Sequence, residues 1–378
     1  MPFTGVSAMD RKREFVRLAQ VEGANRRELC RRFGVSPSLG YRLLARFAAE
    51  GEAGLEARSR RPRRSPAKAS GQVEQAVLAV RAEHPAWGGR KIAAVLRAGR
   101  GQGPSPSTIT RILHRHGVEL GTFGGGAQAF VRFEHPAPND LWQMDFKGHV
   151  AMGTGRLHPL TVLDDHSRFC VVLAACENQR TATVQARLTE AFERYGLPAR
   201  MTMDNGPPWG NGPRDPFTPL GVWLLEQDIR IGHSRPFHPQ TQGKDERFHR
   251  TLKAEAMSGP PFEDLLQAAR RFLAWRDCYN LERPHEALGM APPIGRYAVS
   301  PRPYRPRVEP FEYACDDQLR RVSSEARISF LRQRWRVPKA FRGKILAVRP
   351  TSVDGLYDVF FRTTRVASID LRAPDALS

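Results

Sequence analysis

Cysteine is scarce in this chain: its 378 residues include five cysteines, and no two of them form a C-x-x-C pair. This odd set excludes a disulfide scaffold and the common zinc-site spacings. Cys170, Cys176 and Cys278 lie in apolar or helical surroundings, so we expect them in the core. Long apolar runs are missing too. The longest, from Cys170 to Cys176, falls well short of the ~18 residues that span a bilayer and predicts a buried strand.

The N-terminal residues carry acids and bases without the apolar stretch of a secretory signal. We therefore expect a cytoplasmic protein with no membrane partner.

Acidic residues are in deficit, with 39 Asp and Glu against 59 Lys and Arg, a net charge of +20. The excess lies at the ends: residues 1–70 hold 16 bases and 7 acids, residues 301–378 hold 16 and 9, and residues 71–300 hold 27 and 23. A solvated, solubilising surface explains one basic end. Two basic ends around a balanced middle favour a nucleic-acid partner, with binding that weakens by a log–log salt slope of about −0.9 per phosphate contact.

Residues 1–57 have the outline of a helix-turn-helix domain. Apolar spacing predicts a helix over 10–22, and Asn25 is suited to cap a second helix that ends near Phe33. Ser36 and Pro37 then begin a third helix as its cap and first residue. A plain helical bundle is the alternative. In the helix-turn-helix interpretation, the exposed start of the third helix faces the DNA major groove with Ser36, Ser38, Tyr41 and Arg42.

A basic linker (residues 58–70) and a second, winged-helix-like unit (71–120) follow. Arg58–Lys68 carries six bases and no acid, which suits contact with a phosphate backbone through Arg60, Arg61, Arg63 and Arg64. In the second unit, Ser107 is expected to cap a helix that points Ile109, Ile112 and Leu113 inward. The outward, DNA-facing residues of that helix are Thr108, Arg111 and Arg115.

The middle of the chain reads as an α/β layer. After a flexible linker (121–135), residues 136–297 show three short strands followed by alternating helices and strands, which predicts a mixed sheet. A second linker (298–325) precedes 326–378, where closely spaced short strands predict a small SH3-like β-barrel. We therefore predict a multidomain α/β protein with tandem helix-turn-helix units before the core and a β-barrel after it.

Three acids of the middle region stand at unusual places. Asp145 lies inside a strand, where Asp is disfavoured, and Asp204 ends a strand, where open α/β sheets bind ligands. Glu246 lies in the first turns of a helix. Taken one at a time, Asp145 is typical of a structural Asp with its hydrogen bonds satisfied, Asp204 of a turn, and Glu246 of a solvated surface residue. Strand middle, strand end and helix can nevertheless converge on one site, and the order of the three is the informative feature.

The motifs around these acids resemble those of bacterial insertion-sequence transposases, which share a retroviral-integrase-type catalytic core. The similar segments are Trp142–Gly148, Val162–Arg168, Asp204–Gly206, His238–Lys253, Tyr279–Asn280 and Arg283–Leu288. The resemblance implies an RNase H-like core with an Asp-Asp-Glu triad, so that Asp145, Asp204 and Glu246 would be the catalytic metal ligands.

Two features depart from the family pattern. The Asp204–Glu246 interval, with 41 intervening residues, is long, and the Gly/Pro-rich stretch 206–219 accounts for the excess. Asp245 replaces a neighbour that is usually apolar. We prefer Glu246 as the ligand because helical spacing puts it on one face with Gln242, Arg250 and Lys253. The predicted phosphate contacts around it are Gln242, Lys244, Arg247, Arg250 and Lys253.

Other polar residues of the region are assigned structural roles. Asp164 and Asp165 close a strand beside a turn, and we interpret them as structural. His238 and His249 are alternative metal ligands, but their loop and helix surroundings are not typical of ligands.

The resemblance implies a transposase that binds double-stranded DNA, both the terminal inverted repeats of its element and the target. Two Mg²⁺ ions, or Mn²⁺, would serve DNA cleavage and strand transfer. The protein would be nucleoid-associated when bound to DNA, and a homodimer or larger assembly is expected because two ends are processed together. Two alternatives stay open: an inactive DNA-binding regulator derived from such a transposase, and an RNase H-type nuclease without strand transfer.

Overall fold

The computed structural model describes residues 7–58, 68–119, 134–153, 155–210, 212, 215–233 and 239–372; the side chains of residues 100 and 239–242 lie outside the description. The chain divides into two compact units, Met1–Lys68 and Ala69–Ser378. Each is described by itself. No helix within the described ranges is both long and apolar enough to cross a bilayer.

The first unit contains three helices, α1 (Ala8–Ala19), α2 (Arg26–Arg32) and α3 (Pro37–Glu50), followed by a 3₁₀ turn (Gly51–Leu55). The predicted caps are confirmed: Asn25 accepts a hydrogen bond from the backbone N–H of Glu28, and Ser36 from that of Leu39. The first helix begins earlier than predicted because Ser7 caps it. The core of the unit consists of Phe15, Val16, Cys30, Leu43 and Leu55.

The second unit begins with another helical trio, α4 (Gly71–Glu83), α5 (Gly89–Arg100) and α6 (Pro106–Arg115). The prediction that Ser107 caps the third of these helices is wrong. Ser105 is the cap and Pro106 the first helical residue, since the fixed φ of proline suits that position. The inward residues Ile109, Ile112 and Leu113 are buried as predicted.

A six-stranded mixed sheet forms the centre of the second unit. Its strands are β1 (Trp142–Phe146), β2 (Val150–Met152), β3 (Gly155–Asp164), β4 (Cys170–Cys176), β5 (Arg200–Met203) and β6 (Arg230–His233). The order is β2-β3-β1-β5-β6, with β4 also paired to β3. β3 runs antiparallel to β1 and β4, whereas β1, β5 and β6 are parallel. The predicted α/β layer with a mixed sheet is thereby confirmed.

Helices cover the two faces of this sheet. They are α7 (Thr181–Tyr195), α8 (Pro219–Glu226), α9 (Pro239–Glu255) and α10 (Leu265–Leu281). Trp142 and Met144 of β1 pack in one apolar cluster with residues of α7 and α8. Phe248 and Leu252 of α9 pack in another cluster, with residues of β3, β4 and α10. Because side chains alternate along a strand, Gln143 and Asp145 lie on the face opposite to Trp142 and Met144.

The C-terminal region is rich in β-structure. Its strands are β7 (Gln318–Arg321), β8 (Arg327–Phe330), β9 (Gln333–Arg336), β10 (Ile345–Pro350), β11 (Leu356–Phe361) and β12 (Thr364–Asp370). They form a four-stranded sheet of order β12-β11-β10-β7 and the β8–β9 hairpin, which share one apolar cluster. The sequence predicted short strands after residue 326 and missed β7, which lies in the stretch 298–325 that was predicted to be a linker. Ion pairs attach the region to the centre of the unit, from Lys344 to Glu226 at 2.5 Å and from Arg362 to Asp228 at 2.8 Å.

Candidate active site

Asp145 and Asp204 lie at matching levels on neighbouring strands. The parallel register pairs Trp142 with Met201 and Gln143 with Thr202. Continued by two residues, the same offset sets Asp145 of β1 beside Asp204, which directly follows β5. Adjacent strands are about 4.8 Å apart, so the two carboxyl groups share the carboxyl-terminal edge of the parallel strands. Open α/β sheets bind ligands at this edge.

The carboxyl group of Asp145 is in an unfavourable setting for a negative charge. Burial raises its pKa to about 6, and the nearby negative charge of Asp204 adds to that effect. Its side chain nevertheless remains about one-third exposed, at 34%. A half-buried carboxylate beside a second carboxylate is stabilised by a proton or by a cation. The open side of the pair makes it accessible to a cation.

Asp204 is fixed by the turn that it begins. The backbone N–H of Gly206 donates to its carboxylate at 3.0 Å, and His233 of β6 contacts its main-chain oxygen at 2.8 Å. Burial raises the pKa of Asp204, whereas the Gly206 hydrogen bond lowers it.

The side chain of His249, on α9, also lies close to Asp145. Its Nδ1 atom is 3.8 Å from an Asp145 carboxylate oxygen, and its Nε2 atom is 2.9 Å from the hydroxyl of Thr161. Thr161 donates its only hydroxyl proton to the main-chain oxygen of Asp145, so Nε2 must carry the ring proton. Burial lowers the pKa of His249 to about 4 and keeps the ring neutral. The Nδ1 lone pair therefore faces the carboxylate.

Helix α9 carries two adjacent acids with opposite surroundings. Asp245 is buried, and its pKa is raised to about 8 by burial and by the charges of Asp145 and Asp165. Glu246 is exposed, with 74% of its side chain accessible, and lies 3.4 Å from Arg250. A helix turns about 100° per residue, so the face that brings Phe248 and His249 onto the sheet takes Asp245 inward with them. The structure brings Asp145 and Asp204 together and leaves Glu246 on the outer side.

Lys244 has a partner inside the protein. It donates to the buried carboxylate of Asp165, which also accepts from the side chain of Gln143 and the backbone N–H of His135, each at 2.8 Å. The neighbouring Asp164 accepts from the backbone N–H groups of Asn139 and Ser167. The structural interpretation of both aspartates is confirmed.

The predicted DNA-contact residues differ in their surroundings. Those of α3 are exposed, although the Ser36 hydroxyl serves as a helix cap. On α6, Arg111 is exposed, Thr108 is half-buried, and Arg115 is paired with Glu74 at 3.0 Å. On α9, Arg247 lies 3.6 Å from Glu286, Arg250 pairs with Glu246, and Lys253 is exposed. The predicted DNA contacts Arg60, Arg61, Arg63, Arg64 and Gln242 and the ligand candidate His238 lie outside the residues or side chains that the structure describes.

The donor set at the paired aspartates fits a divalent cation. Two carboxylates are the oxygen ligands that Mg²⁺ and Mn²⁺ prefer. A buried oxygen of Asp245 has no hydrogen-bond partner in the described structure. Asp145, Asp204 and Glu246 are not among the tight groups of three potential ligands in the described residues. His249, which the sequence analysis considered as an alternative metal ligand, lies with its Nδ1 atom 3.8 Å from a carboxylate oxygen of Asp145.

Family models match nearly every part of the chain. Residues 11–63 match a helix-turn-helix domain and residues 39–113 a homeodomain-like domain. Residues 135–239 and 227–293 match two models of the integrase core domain. Residues 317–377 match the C-terminal domain of IS481 family transposases. The predicted helix-turn-helix front and RNase H-like integrase core are confirmed.

Two similar curated proteins come from bacterial insertion elements. The uncharacterized 39.2 kDa protein of element IS476 from Xanthomonas euvesicatoria is 31% identical over 158 residues, which are 41% of this chain and 43% of that protein. The uncharacterized 31.7 kDa protein of IS407 from Burkholderia multivorans is 26% identical over 157 residues, 42% and 54% of the two chains. The chain thus spans about half the length of these relatives.

Among solved structures, the integrase catalytic core domain of HTLV-2 in complex with magnesium is 13% identical, with a TM-score of 0.33. The match covers 44% of this chain and all of that one.

Proposed function

We propose that this chain is a transposase of an insertion element that binds the ends of its mobile element and catalyses DNA cleavage and strand transfer. Its matches to the integrase core domain and to the C-terminal domain of IS481 family transposases support this. The observation that carries the proposal is the half-buried pair Asp145 and Asp204 at the carboxyl edge of β1 and β5. Two like charges held together in a protein of net charge +20 indicate a site built for a cation and a polyanion.

We infer that Asp145 and Asp204 would hold divalent metal, Mg²⁺ or Mn²⁺, and that Glu246 would supply the third carboxylate. When bound, such ions stabilise negative charge on phosphate oxygens and activate the attacking oxygen. Asp245 is the competing third carboxylate, because its charge acts on the same pocket as that of Asp145. Movement of the outer face of α9 toward the pair would bring in Glu246 instead.

The protein's own side chains orient the site and attract the substrate. Thr161 donates to the main-chain oxygen of Asp145 and accepts from the neutral ring of His249, and these two hydrogen bonds fix the backbone of β1 at the site. The exposed bases of α9, Arg250 and Lys253, lie one and two turns beyond Glu246 and are suited to contact the DNA backbone. Positive charge near a phosphodiester also favours the transition state, in which negative charge increases on the phosphorus oxygens.

The proposed reaction has two steps at one site. In the first, water attacks a phosphodiester at the element end: the new P–O bond forms, the old one breaks, and a 3′-hydroxyl and a 5′-phosphate result. In the second, that hydroxyl attacks a phosphodiester of target DNA, joins the element to it and releases a new 3′-hydroxyl. Each step exchanges one P–O bond for another, so no covalent enzyme intermediate is required.

The partner we propose is double-stranded DNA, both the terminal inverted repeats and the target. The exposed start of α3 is suited to read bases in the major groove, and the basic termini would bind phosphates. Because two ends are joined to one target, the working form is a homodimer or larger assembly at the bacterial nucleoid.

A labelled duplex carrying the element end tests the activity. With Mg²⁺ or Mn²⁺, we expect the wild-type protein to nick the duplex and join it to a target plasmid. Asp145→Asn and Asp204→Asn remove one charge each with little change in shape, so they should abolish both products while end binding persists. Asp277→Asn, at an exposed position of α10, is the control. Near-wild-type joining by Asp145→Asn would contradict the proposed mechanism.

The placement of Glu246 beside Arg250 favours one second candidate, an inactive DNA-binding regulator derived from a transposase. In that case the wild-type protein would bind the element ends and produce neither nicked nor joined DNA with any divalent metal. Nicked products without joined ones would instead indicate a nuclease.

A further inference from the structure

A second cluster of metal-binding side chains lies where α4 and the central domain meet, apart from the paired aspartates. His84 ends α4, and Cys278 and Glu282 belong to α10 and the residue that caps it. One potential ligand atom from each of the three lies within 4.8 Å of those of the other two. Among the residues that the structure describes, this is the only such group of three.

The geometry of the cluster is fixed from both sides. Cys278 and Glu282 are four residues apart, which puts their side chains on the same side of α10. The ring of His84 stacks on Trp87, with centroids 3.6 Å apart and planes inclined by 10°. Trp87 is itself buried, with 2% of its surface accessible. The imidazole is therefore held in place by the core of the helical trio α4–α6, against which Cys278 also packs.

We propose that His84, Cys278 and Glu282 bind one Zn²⁺ ion that links the second helix-turn-helix unit to the catalytic domain. Thiolate, imidazole and carboxylate together are a zinc donor set, whereas Mg²⁺ and Ca²⁺ avoid sulfur. Zinc takes four ligands in structural sites. The fourth is water or Glu83, whose carboxylate is 4.0 Å from Nε2 of His84. Binding displaces the thiol proton of Cys278, which passes to solvent.

The surrounding contacts show what the ion adds. Lys91 and Glu255 lie 3.7 Å apart across the same boundary, and Arg90 and Glu286 also lie 3.7 Å apart. The Arg90–Glu286 pair is exposed, and pairs of that kind contribute little to stability; Lys91 and Glu255 are both largely buried. Bonds from one ion to His84 on one side and to Cys278 and Glu282 on the other would hold the DNA-reading unit in one orientation on the core. This inference is independent of the proposed transposase activity, because it depends on sulfur rather than on the paired aspartates.

Metal titration of the full chain tests the proposal. A chelator first removes bound metal from the protein. The protein is then titrated with Co²⁺ and afterwards with Zn²⁺. Excess Mg²⁺ is present throughout, so that it occupies sites made of carboxylates alone. We expect one equivalent of Co²⁺ to give a thiolate-to-metal charge-transfer band that Zn²⁺ abolishes. Cys278→Ser should lose the band, whereas Cys315→Ser, at an exposed cysteine, and Asp145→Asn should keep it.

The variants Glu282→Gln and His84→Gln show whether a lost band in Cys278→Ser reflects lost metal binding rather than misfolding. Glu282 is exposed, so its substitution should leave the fold intact. It should weaken zinc binding by at least about tenfold, since even outer-shell changes cost about 10- to 100-fold in metal affinity. Zinc should also raise the melting temperature of the wild-type protein but not that of Cys278→Ser. Absence of the band in the wild-type protein, or zinc affinity unchanged in both Glu282→Gln and His84→Gln, would overturn the proposal.

Discussion

Lys244 of α9 donates a hydrogen bond to Asp165 at the end of β3, and this ion pair attaches the first half of α9 to the sheet. The carboxylate of Asp165 is fully buried, and 17% of the Lys244 side chain is accessible. Lys244 directly precedes Asp245 and lies two residues before Glu246. The position of both acids therefore depends on a contact between residues that are 79 apart in the chain.

Lys244→Met should destabilise the protein, since it leaves the buried Asp165 with one donor fewer. A buried acceptor that loses its partner costs about 1–3 kcal/mol, which thermal unfolding would detect as a lower melting temperature. Lys253→Met, at an exposed position of the same helix, is the matched control and should leave stability unchanged. If Lys244→Met instead melts like the wild-type protein but binds DNA more weakly, Lys244 contacts a DNA phosphate, as predicted from the sequence, and does not stabilise the fold.

Glu246→Gln and Asp245→Asn should separate the two acids of α9. We expect Glu246→Gln to abolish strand transfer, because it removes the third carboxylate of the proposed metal site. Asp245→Asn should retain strand transfer and raise the melting temperature at neutral pH. Burial and the charges of Asp145 and Asp165 raise the pKa of Asp245 to about 8, so this side chain must take up a proton on folding, and the variant removes that cost.

Strand-transfer assays and thermal unfolding of the same two variants decide the point. The reverse pattern, loss of joining in Asp245→Asn and activity in Glu246→Gln, would assign the metal ligand to Asp245. Glu263→Gln, at an exposed position before α10, serves as the control for a Glu-to-Gln change.

Arg42→Ala should reduce the preference for the element end. Arg42 is exposed near the start of α3, where a helix-turn-helix domain contacts base edges, and a base contact is worth about 1–3 kcal/mol of discrimination. Fluorescence anisotropy with an end-containing duplex and an unrelated duplex would measure this. Arg17→Ala on α1, an exposed arginine paired with Glu14, is the control. Equal losses in both variants on both duplexes would mean that Arg42 contributes only charge.

Gly40→Ala should destabilise the first helix-turn-helix unit. An added Cβ at this position would lie 2.5 Å from the sulfur of Cys30 and 2.9 Å from the ring of Phe15, both of them buried. Overpacking of this kind costs about 1–3 kcal/mol, which exceeds the gain of about 1 kcal/mol from replacing a helical glycine. Hydrogen exchange of α1–α3 in the full chain would report faster opening. Gly99→Ala in α5, where no atom lies within 4 Å of the added Cβ, should not show it.

Local signals explain where prediction from the sequence succeeded. Asn25 and Ser36 were identified as caps because capping uses a side chain and a backbone N–H only three residues apart. The same local logic failed at Ser107, because a serine before a proline, Ser105, was the better cap. The strand β7 was missed because its residues Gln318–Arg321 are polar and mostly exposed. Its pairing with β10, distant in sequence, makes it a strand.

The sequence by itself determined the domain types and the caps at Asn25 and Ser36, because these depend on residue type and on spacing within a few turns. Tertiary structure alone decided the register that sets Asp145 beside Asp204 and the face of α9 that is buried. Strand register and helix rotation follow from packing between distant segments: the Phe248 side of α9 covers the sheet, and that contact takes Asp245 inward and leaves Glu246 outside.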